Sequence, residues 1–404
     1  MAPLTALIKR VWASTFLICA GFLVAFNCSI NEINPLKLDK FDKMKTLWGT
    51  QVAKIPSILA SSENADVLIV GASGVLVPSV RCDDAYYGRR TRYDAVYMAQ
   101  SIWSYSRSDF FQHELSKGFG KQLDLINAAV GGCMESDQYL ILRRYLASGK
   151  RPKLILLFTG PKDFIDNWRP DVTTTAIYTL LADYPTRISD IMQNNVAFGP
   201  AFQSLSDTAL KAVCTYYNAR SDYRDYLTDV AARVTGHPKS VGIALPQQKK
   251  VETKFANRND IKPQFSQSKE RKDLANFRIT YRPGDTQQFN MQSKFMDKIV
   301  ALAAQENIPI TITLMPLTPE HIGVLGSDRF ANYKRTVRSI AQRWHVACFD
   351  PASEITFDGS DFEDSAHLST QGGKKFFACL TDDLLKERTI TASLDDRRSL
   401  IGQH

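Results

Sequence analysis

The sequence predicts an α/β protein built on a parallel β-sheet. Three apolar runs, at 66–71, 123–128 and 153–159, have the length and composition of buried strands. A glycine-containing loop follows each run, and a helical pattern at 135–147 separates the second run from the third. Alternation of strand, loop and helix is typical of parallel sheets with helical crossovers. Ligands of such sheets bind beyond the carboxyl ends of the strands, so we expect the residues there to form the site.

Further elements are predicted after an insertion at 185–285 that interrupts this alternation. The predicted elements are helices at 287–305, 329–344 and 370–387 and strands at 308–314 and 345–349. Within the insertion, a polar tract at 247–282 has few apolar residues, and its interpretation stays open between a mobile lid, a partner-docking arm and a surface excursion. The segment 81–105, rich in Tyr and Arg, is predicted to be a loop that either lines a substrate groove or forms ordinary polar surface.

The sequence near the amino terminus predicts a membrane anchor. Residues 11–30 are almost continuously apolar, and twenty helical residues span roughly 30 Å, enough to cross a bilayer once. No small-x-small cleavage pattern follows, which favours an uncleaved anchor over a signal peptide. The short basic start, Lys9-Arg10, favours a domain outside the cytoplasm, in the periplasm or extracytoplasmic space. The predicted organisation is therefore anchor, stalk, α/β domain and carboxyl-terminal tail, at 1–30, 31–64, 65–387 and 388–404.

Composition excludes some classes of function. In 404 residues, 44% are hydrophobic and 23% are charged, which argues against global disorder and against a polytopic membrane protein. The formal net charge of +8 is mild, and no basic stripe with interleaved aromatics indicates nucleic-acid binding. Seven cysteines are scattered without metal-ligand spacing, so no metal and no cofactor is predicted.

Candidate catalytic residues lie far apart in the sequence. Ser73 follows the first predicted strand across a sharp Gly-Ala-Ser turn, where a hydroxyl stands above the sheet edge. Such a serine is a nucleophile only if a base reaches it and a third group fixes the tautomer of that base. Asp364 and His367 are three residues apart, which lets one turn join the carboxylate to the imidazole. Backbone N–H groups of Ser73 and of Gly131 or Gly132 are the expected oxyanion donors.

These segments together resemble the SGNH (GDSL-like) hydrolase superfamily. The matching blocks are Gly71-Ala72-Ser73, Asn127 to Gly132, Gly160-Pro161-Lys162-Asp163 in part, and Asp364 with His367. The resemblance implies a flavodoxin-like three-layer α/β/α fold, with Ser73, Asp364 and His367 as the catalytic triad. It also implies an oxyanion hole of Ser73, Gly132 and the residue at position 162, and substrate-binding roles for Gly131, Asp163 and Asn167.

Two positions depart from the family pattern. Ala72 stands beside the nucleophile where Asp is usual, a replacement that related branches tolerate. Lys162 stands where the family has an oxyanion-hole Asn. A lysine ammonium is a flexible and strongly hydrated donor. The interpretation therefore stays open between donation by Lys162, its replacement by Asn167, and a hole made of backbone donors alone.

A single anchor before an extracytoplasmic domain of this kind resembles the DltD and AlgX/AlgJ-like proteins, as does the segment 315–321 (MPLTPEH). This resemblance implies O-acyl transfer, usually of acetyl, to a cell-envelope polysaccharide or exopolysaccharide, with a membrane-bound O-acyltransferase (MBOAT) as the source of the acyl group. Two alternatives remain. One is a membrane-anchored carbohydrate esterase or deacetylase that uses the same triad. The other is a catalytically silent scaffold that binds polysaccharide or an MBOAT partner.

Overall fold

The structure is a computed structural model, and it describes residues 54–89, 105–167, 171–193, 198–213, 267–281 and 286–394, with a few isolated positions elsewhere. The chain divides into two compact units. One unit comprises Lys40–Phe198 and Lys262–His404, and the other comprises Met1–Asp39 and Gly199–Ile261. The residues predicted to carry chemistry all belong to the larger of these units.

A five-stranded parallel sheet forms the centre of the larger unit in the part of the chain that the structure describes. Its strands are β1 (Val67–Val70), β2 (Leu125–Asn127), β3 (Leu154–Thr159), β4 (Ile310–Leu314) and β5 (Ala347–Phe349). Their spatial order is β2-β1-β3-β4-β5. In the register, Leu68 lies opposite Ile126 on β2 and Ile155 on β3. The predicted α/β class and the parallel sheet are therefore confirmed.

Helices pack on both faces of the sheet. The helices of the described residues are α1 (Lys54–Ala60), α2 (Ser73–Tyr87), α3 (Asp109–Phe119), α4 (Glu135–Ala147), α5 (Ala176–Leu181), α6 (Tyr184–Met192), α7 (Phe198–Val213), which belongs to the smaller unit, α8 (Gln267–Thr280), α9 (Thr286–Gln305), α10 (Pro319–Leu325), α11 (Ser327–Trp344), α12 (Pro351–Glu354), α13 (Thr370–Lys386) and α14 (Arg388–Leu394). Short 3₁₀ turns lie at Pro161–Asp163, Val172–Thr174 and Gly359–Asp361.

One face of the sheet is covered by α2, α3, α13 and α14. Val67 and Ile69 of β1 belong to the hydrophobic core on this side, together with Phe376 and Phe377 of α13. Side chains alternate along a strand, so Leu68 and its neighbours in register point to the opposite face. There α4, α9 and α11 contact β1, β4 and β5 respectively. Full burial of each phenylalanine stabilises the fold by about 1.5–3 kcal/mol, and the arrangement is consistent with three layers.

The sequence predicts a loop at 81–105, but the first part of this segment is helical. Helix α2 continues to Tyr87, although Pro78 lies inside it. Asp83 is fully buried and accepts hydrogen bonds from the backbone N–H groups of Asp109 and Phe110, at 2.8 and 2.7 Å. It therefore satisfies the first turn of α3. The prediction failed because proline and adjacent acidic residues are typical of loops, whereas here they serve a long helix. Residues 92–104 lie outside the described part of the chain.

Helices also lie in two segments outside the predicted α/β domain. Helix α1 lies within the predicted stalk, but Ile55 and Ile58 are buried. Helix α14 lies within the predicted carboxyl-terminal tail, yet Ile390 and Leu394 belong to the core on the α13 side of the sheet. Both helices carry apolar side chains that are buried in the folded protein. Their burial is not evident from the sequence, because each apolar segment is short and has polar residues on both sides.

The smaller unit is described in part. Isolated positions between 15 and 25 are helical, and among them Leu17, Ile18 and Phe22 are exposed. Within the residues available, no helix combines the length and apolar character needed to cross a membrane. Most of the predicted anchor at 11–30, and residues 247–266 of the polar tract at 247–282, lie outside the described residues.

Candidate active site

The turn after β1 presents Ser73 at the start of α2. A Cβ atom on Gly71 would lie 2.8 Å from Cγ1 of Val75 and 3.1 Å from both Cβ and the carbonyl oxygen of Phe158. Contacts this short leave room only for glycine, so Gly71 lets β1 turn directly into α2. The next residue, Ala72, is the N-cap of the helix, and Ser73 is its first residue. The predicted sharp turn is therefore present, and its tightness fixes the nucleophile candidate against the sheet.

The structure brings Ser73, His367 and Asp364 into one hydrogen-bonded line. Nε2 of His367 lies 2.9 Å from Oγ of Ser73. Nδ1 of His367 lies 2.9 Å and 2.8 Å from the two carboxylate oxygens of Asp364. Oδ1 of Asp364 also accepts the backbone N–H groups of Ala366 and His367, each at 2.9 Å. The carboxylate is thus held by its own turn, and it orients the imidazole with Nε2 toward the serine.

The electrostatic interaction between Asp364 and His367 favours a basic imidazole. Burial disfavours the charged form of both groups, but their mutual attraction outweighs it. The carboxylate of Asp364 raises the pKa of His367 above the ordinary 6.5. The imidazole and the backbone donors hold the pKa of Asp364 well below 3.8. An imidazole with a raised pKa accepts the serine proton more readily than a free one does.

Arg81 is a residue of this site whose role the sequence did not indicate. Its Nε and Nη2 donate to the two carboxylate oxygens of Glu363 at 2.6 and 2.9 Å. Glu363 directly precedes Asp364, and Arg81 lies two turns after Ser73 on α2. The bidentate pair therefore ties the His367 loop to the helix that begins at Ser73, across 282 residues of sequence. Pairing at such a separation leaves no local sequence pattern.

Oxyanion donors are available at the start of α2. The N–H groups of Ser73 and Gly74 have no hydrogen-bond acceptor in the described part of the chain, as expected for the first turn of a helix. Both residues line a cavity that also includes His367. The positive end of the helix dipole adds to their effect on a developing negative charge.

Lys162 lies in the same cavity lining, in the 3₁₀ turn after β3. Its Nζ lies 5.6 Å from the centre of the Phe277 ring. Within the described residues it has neither a hydrogen-bond acceptor nor a carboxylate within ion-pair distance. This ammonium is therefore positioned to interact with negative charge in the cavity.

Asp163 lies beside Lys162 in that lining, and it interacts electrostatically with Glu135, which is outside the lining. Asp163 accepts the N–H of Gly160 at 2.9 Å, and burial raises its pKa to about 7. Glu135 is fully buried; its Oε1 accepts the hydroxyl of Thr159 at 2.5 Å, and its Oε2 has no partner within the described residues. Burial and the nearby Asp163 raise the pKa of Glu135 well above 4.5. Burial therefore favours the protonated form of both acids.

Three of the predicted residues are placed outside the cavity lining. Gly131 and Gly132 form a turn after β2, in which Gly132 has φ of 72°. This loop is joined to the first one where Val130 donates to the carbonyl of Gly71 at 3.1 Å. Asn167 donates its side-chain amide to the carbonyl of Thr280 at 2.8 Å, which ties its loop to the end of α8. The hydrogen bond from Val130 thus holds the Gly131-Gly132 turn next to the turn that carries Ser73, although neither glycine lines the cavity.

The cavity at Ser73 has a volume of about 50 Å³. A buried water needs roughly 10–15 Å³ on this measure, so there is room for a group of a few heavy atoms. Phe277, Tyr281 and His321 also line this cavity. Phe277 and Tyr281 lie in the predicted insertion and belong to none of the sequence motifs. The only pattern that pointed to them was the return of aromatic residues near the end of the polar tract.

One potential group of metal ligands occurs among the described residues. Glu354, Cys379 and Asp383 offer ligand atoms within 4.8 Å of one another. None of them lines the cavity at Ser73. Small acidic clusters of this kind are common without an ion, and we assign no function to this one.

Comparisons with known proteins leave this site without a relative. No protein family matches the chain, and no curated protein matches it either. Any assignment of function therefore depends on the geometry described above and on the resemblance of the sequence motifs.

Proposed function

We propose that this protein is a serine-dependent acyl-transfer enzyme in which Ser73 is the nucleophile, His367 the base and Asp364 its orienting carboxylate. The observation that carries the proposal is the continuous line from Ser73 Oγ through both ring nitrogens of His367 to Asp364, with every distance at 2.8–2.9 Å. Two of these residues are separated by 294 positions in sequence, so chance proximity of polar side chains is a poor explanation.

In the proposed first half-reaction, Ser73 Oγ attacks an ester carbonyl while His367 Nε2 takes the hydroxyl proton. The developing oxyanion is stabilised by the N–H groups of Ser73 and Gly74 and by the ammonium of Lys162. His367 then donates the proton to the leaving alcohol, which leaves an ester on Ser73. In the second half-reaction, an acceptor hydroxyl gives its proton to His367, attacks the acyl carbon and releases Ser73. The small cavity favours a short acyl group such as acetyl.

The topology supports the finer family assignment that we propose, an SGNH-type domain with a flavodoxin-like sheet. The order β2-β1-β3-β4-β5 is that of flavodoxin-like sheets, whose ligands bind where the order reverses, between β1 and β3. Ser73 follows β1, and Lys162 and Asp163 follow β3. The cavity thus lies where this class of sheet places its ligands.

For the cellular context we propose a membrane-anchored enzyme that acts outside the cytoplasm on a cell-envelope polysaccharide or exopolysaccharide, with an MBOAT partner as the source of acyl groups. This part rests on the apolar segment at 11–30 and on the DltD and AlgX/AlgJ-like motif pattern. A carbohydrate esterase would use the same triad and would differ only in passing the acyl group to water. A catalytically silent scaffold would form no acyl-serine.

The test is the intact mass of the purified full-length protein in detergent after brief incubation with p-nitrophenyl acetate. We expect a mass increase of one acetyl group that peptide mapping assigns to Ser73, with release of p-nitrophenol. The Ser73→Ala variant should show neither. Ser369→Ala is a matched control, because Ser369 is also a serine at a helix start but caps α13 and lies outside the cavity. Equal labelling of wild type and Ser73→Ala would refute the nucleophile assignment.

A further inference from the structure

A second hydrogen-bonded chain lies next to the triad and takes no part in the proposed chemistry. Oδ2 of Asp273 is 2.6 Å from Oγ of Ser365. The same hydroxyl is 3.2 Å from Nδ1 of His321, and Nε2 of His321 is 2.9 Å from the hydroxyl of Tyr281. His321 is fully buried between them, and its ring lies 4.1 Å from that of Phe277. A buried histidine with both nitrogens occupied is a fixed element of the cavity wall.

The direction of each hydrogen bond in this chain follows from the acid at its end. Oδ2 of Asp273 lies within reach of both the N–H and the hydroxyl of Ser365, so the carboxylate is the acceptor. Ser365 has one hydroxyl proton and gives it to Asp273, and its oxygen must therefore accept from Nδ1–H of His321. Burial lowers the pKa of His321 to about 3, which keeps the ring neutral. With Nδ1 protonated, Nε2 is the acceptor, and the hydroxyl of Tyr281 donates to it.

The directions of these hydrogen bonds determine whether Tyr281 donates to a ligand or accepts from it. Its only hydroxyl proton is directed at His321, so the oxygen presents lone pairs and acts as an acceptor. Successive hydrogen bonds toward a carboxylate polarise one another and strengthen that character. Tyr281 lines the same cavity as Ser73 and His367, and the Phe277 ring lies beside it. The lining of the cavity thus combines a hydrogen-bond acceptor with an aromatic surface.

We propose that Tyr281, oriented by the His321–Ser365–Asp273 chain, is an acceptor subsite that selects polyols such as sugars over simple alcohols. The proposal rests on the proposed function, because it concerns the second half-reaction of the same site. A sugar carries neighbouring hydroxyls, and two of them can be used at once. One gives its proton to His367 and attacks the acyl carbon, while its neighbour donates a hydrogen bond to the Tyr281 oxygen.

Atoms balance in this step. The bond between the acyl carbon and Ser73 Oγ breaks as a bond to the sugar oxygen forms, and the sugar's proton passes through His367 to Ser73. A simple alcohol completes the same exchange but has no second hydroxyl for Tyr281. Asp273, Ser365 and His321 are positioning residues in this scheme, since they act on the acceptor only through Tyr281.

The experiment compares two acceptors on the full-length acetylated protein, methyl glucoside and 1-propanol, with the amounts of the two acetyl esters measured by mass spectrometry. The quantity of interest is the ratio of sugar ester to propyl ester. We expect Tyr281→Phe, which removes one neutral hydrogen bond and keeps the ring, to lower this ratio about tenfold. Tyr178→Phe is the matched control, because its hydroxyl is also buried, 3.3 Å from Asp190, but lies outside the cavity lining; its ratio should equal that of wild type.

Ser365→Ala tests the chain without touching Tyr281. His321 then loses the acceptor for Nδ1–H, its tautomer is no longer fixed, and the ratio should again fall. If a folded Tyr281→Phe or Ser365→Ala variant keeps the wild-type ratio, the subsite proposal is overturned. If wild type forms no acetyl-serine, the proposed function itself is overturned, and this outcome is distinct from the first. If Tyr281→Phe does not fold, the ester ratio measured with Ser365→Ala alone tests the subsite proposal.

Discussion

His367 is the residue on which the charge balance of the site depends. Its imidazole is held between a hydroxyl and a carboxylate; burial lowers its pKa, and the charge and hydrogen bond of Asp364 together raise that pKa by more. The ring must be neutral to accept the proton of Ser73. A raised pKa therefore makes it a stronger base but also extends the range of acidic pH in which it is already protonated and inactive.

The acylation rate with p-nitrophenyl acetate should consequently rise with pH through an apparent pKa above 6.5. In Asp364→Asn the neutral amide no longer stabilises the imidazolium, and burial then lowers the pKa of His367, so the acidic limb should move to lower pH. The plateau should fall on the order of 10⁴-fold, because an amide also misdirects the tautomer. Stopped-flow p-nitrophenol release from about pH 5 to about pH 9 measures both effects. An acidic limb that stays in place in Asp364→Asn would contradict the ion-pair account.

At the scale of elements, the site depends on the attachment of one loop to one helix. The loop that carries Asp364 and His367 comes after β5, whereas Ser73 starts the helix after β1. Arg81 and Glu363 join these two elements through a pair of hydrogen bonds, and Arg81 also donates to the carbonyl of Thr91 at 3.1 Å. A planar guanidinium fixes the loop in direction as well as in distance.

Arg81→Met should therefore lower both stability and acylation rate. Breaking a largely buried pair leaves Glu363 uncompensated. The expected cost is about 3 kcal/mol, at the lower end of the usual range because Glu363 retains 22% exposure. Misplacement of His367 by a fraction of an ångström should reduce kcat more than KM.

Arg107→Met is the control for this prediction. It also removes an arginine that pairs with an aspartate, but the Arg107 side chain is 65% exposed, so little stability should be lost. Denaturant unfolding and p-nitrophenyl acetate kinetics on both variants make the comparison. Equal effects in the two variants would show that the Arg81–Glu363 pair does not position the loop.

At the scale of the whole molecule, the buried acids Glu135 and Asp163 make folding depend on pH. Their pKa values are raised in the folded protein, Asp163 from 3.8 to about 7. Between those values the folded chain binds more protons than the unfolded chain. The free energy of unfolding must therefore fall as pH rises through this window.

Glu135→Gln removes one of the two ionisable groups and keeps an oxygen that can accept from Thr159. We expect this variant to lose less stability than wild type between about pH 5 and about pH 8. Glu306→Gln is the control, because Glu306 pairs with Arg151 at the surface with a third of its side chain exposed. Thermal unfolding midpoints across the pH series provide the measurement. The same slope in Glu135→Gln as in wild type would indicate that Glu135 does not retain a proton in the folded state.

Much of the sheet and the triad candidates could be predicted from local patterns. Strand β3 and helix α4 were expected at 153–159 and 135–147, and they occupy Leu154–Thr159 and Glu135–Ala147. Continuous apolar runs and helical spacing of apolar residues are short-range properties, so a single sequence displays them. Helix α2 is not predicted over its full length by local patterns, because Pro78 and Asp83-Asp84 are typical of loops. Only their burial in the folded chain accounts for the helix.

Local patterns in the sequence predict the α/β class, the sharp turn at Gly71 and the pairing of Asp364 with His367, since each depends on residues a few positions apart. The tertiary structure alone shows which residues surround Ser73. It brought Arg81 to Glu363, and it brought Tyr281 and Phe277 from the insertion into the cavity beside His321, while Asn167 went to anchor α8 instead. Contacts between distant segments arise from packing and from the satisfaction of buried polar groups, and these leave no periodic trace in the order of the amino acids.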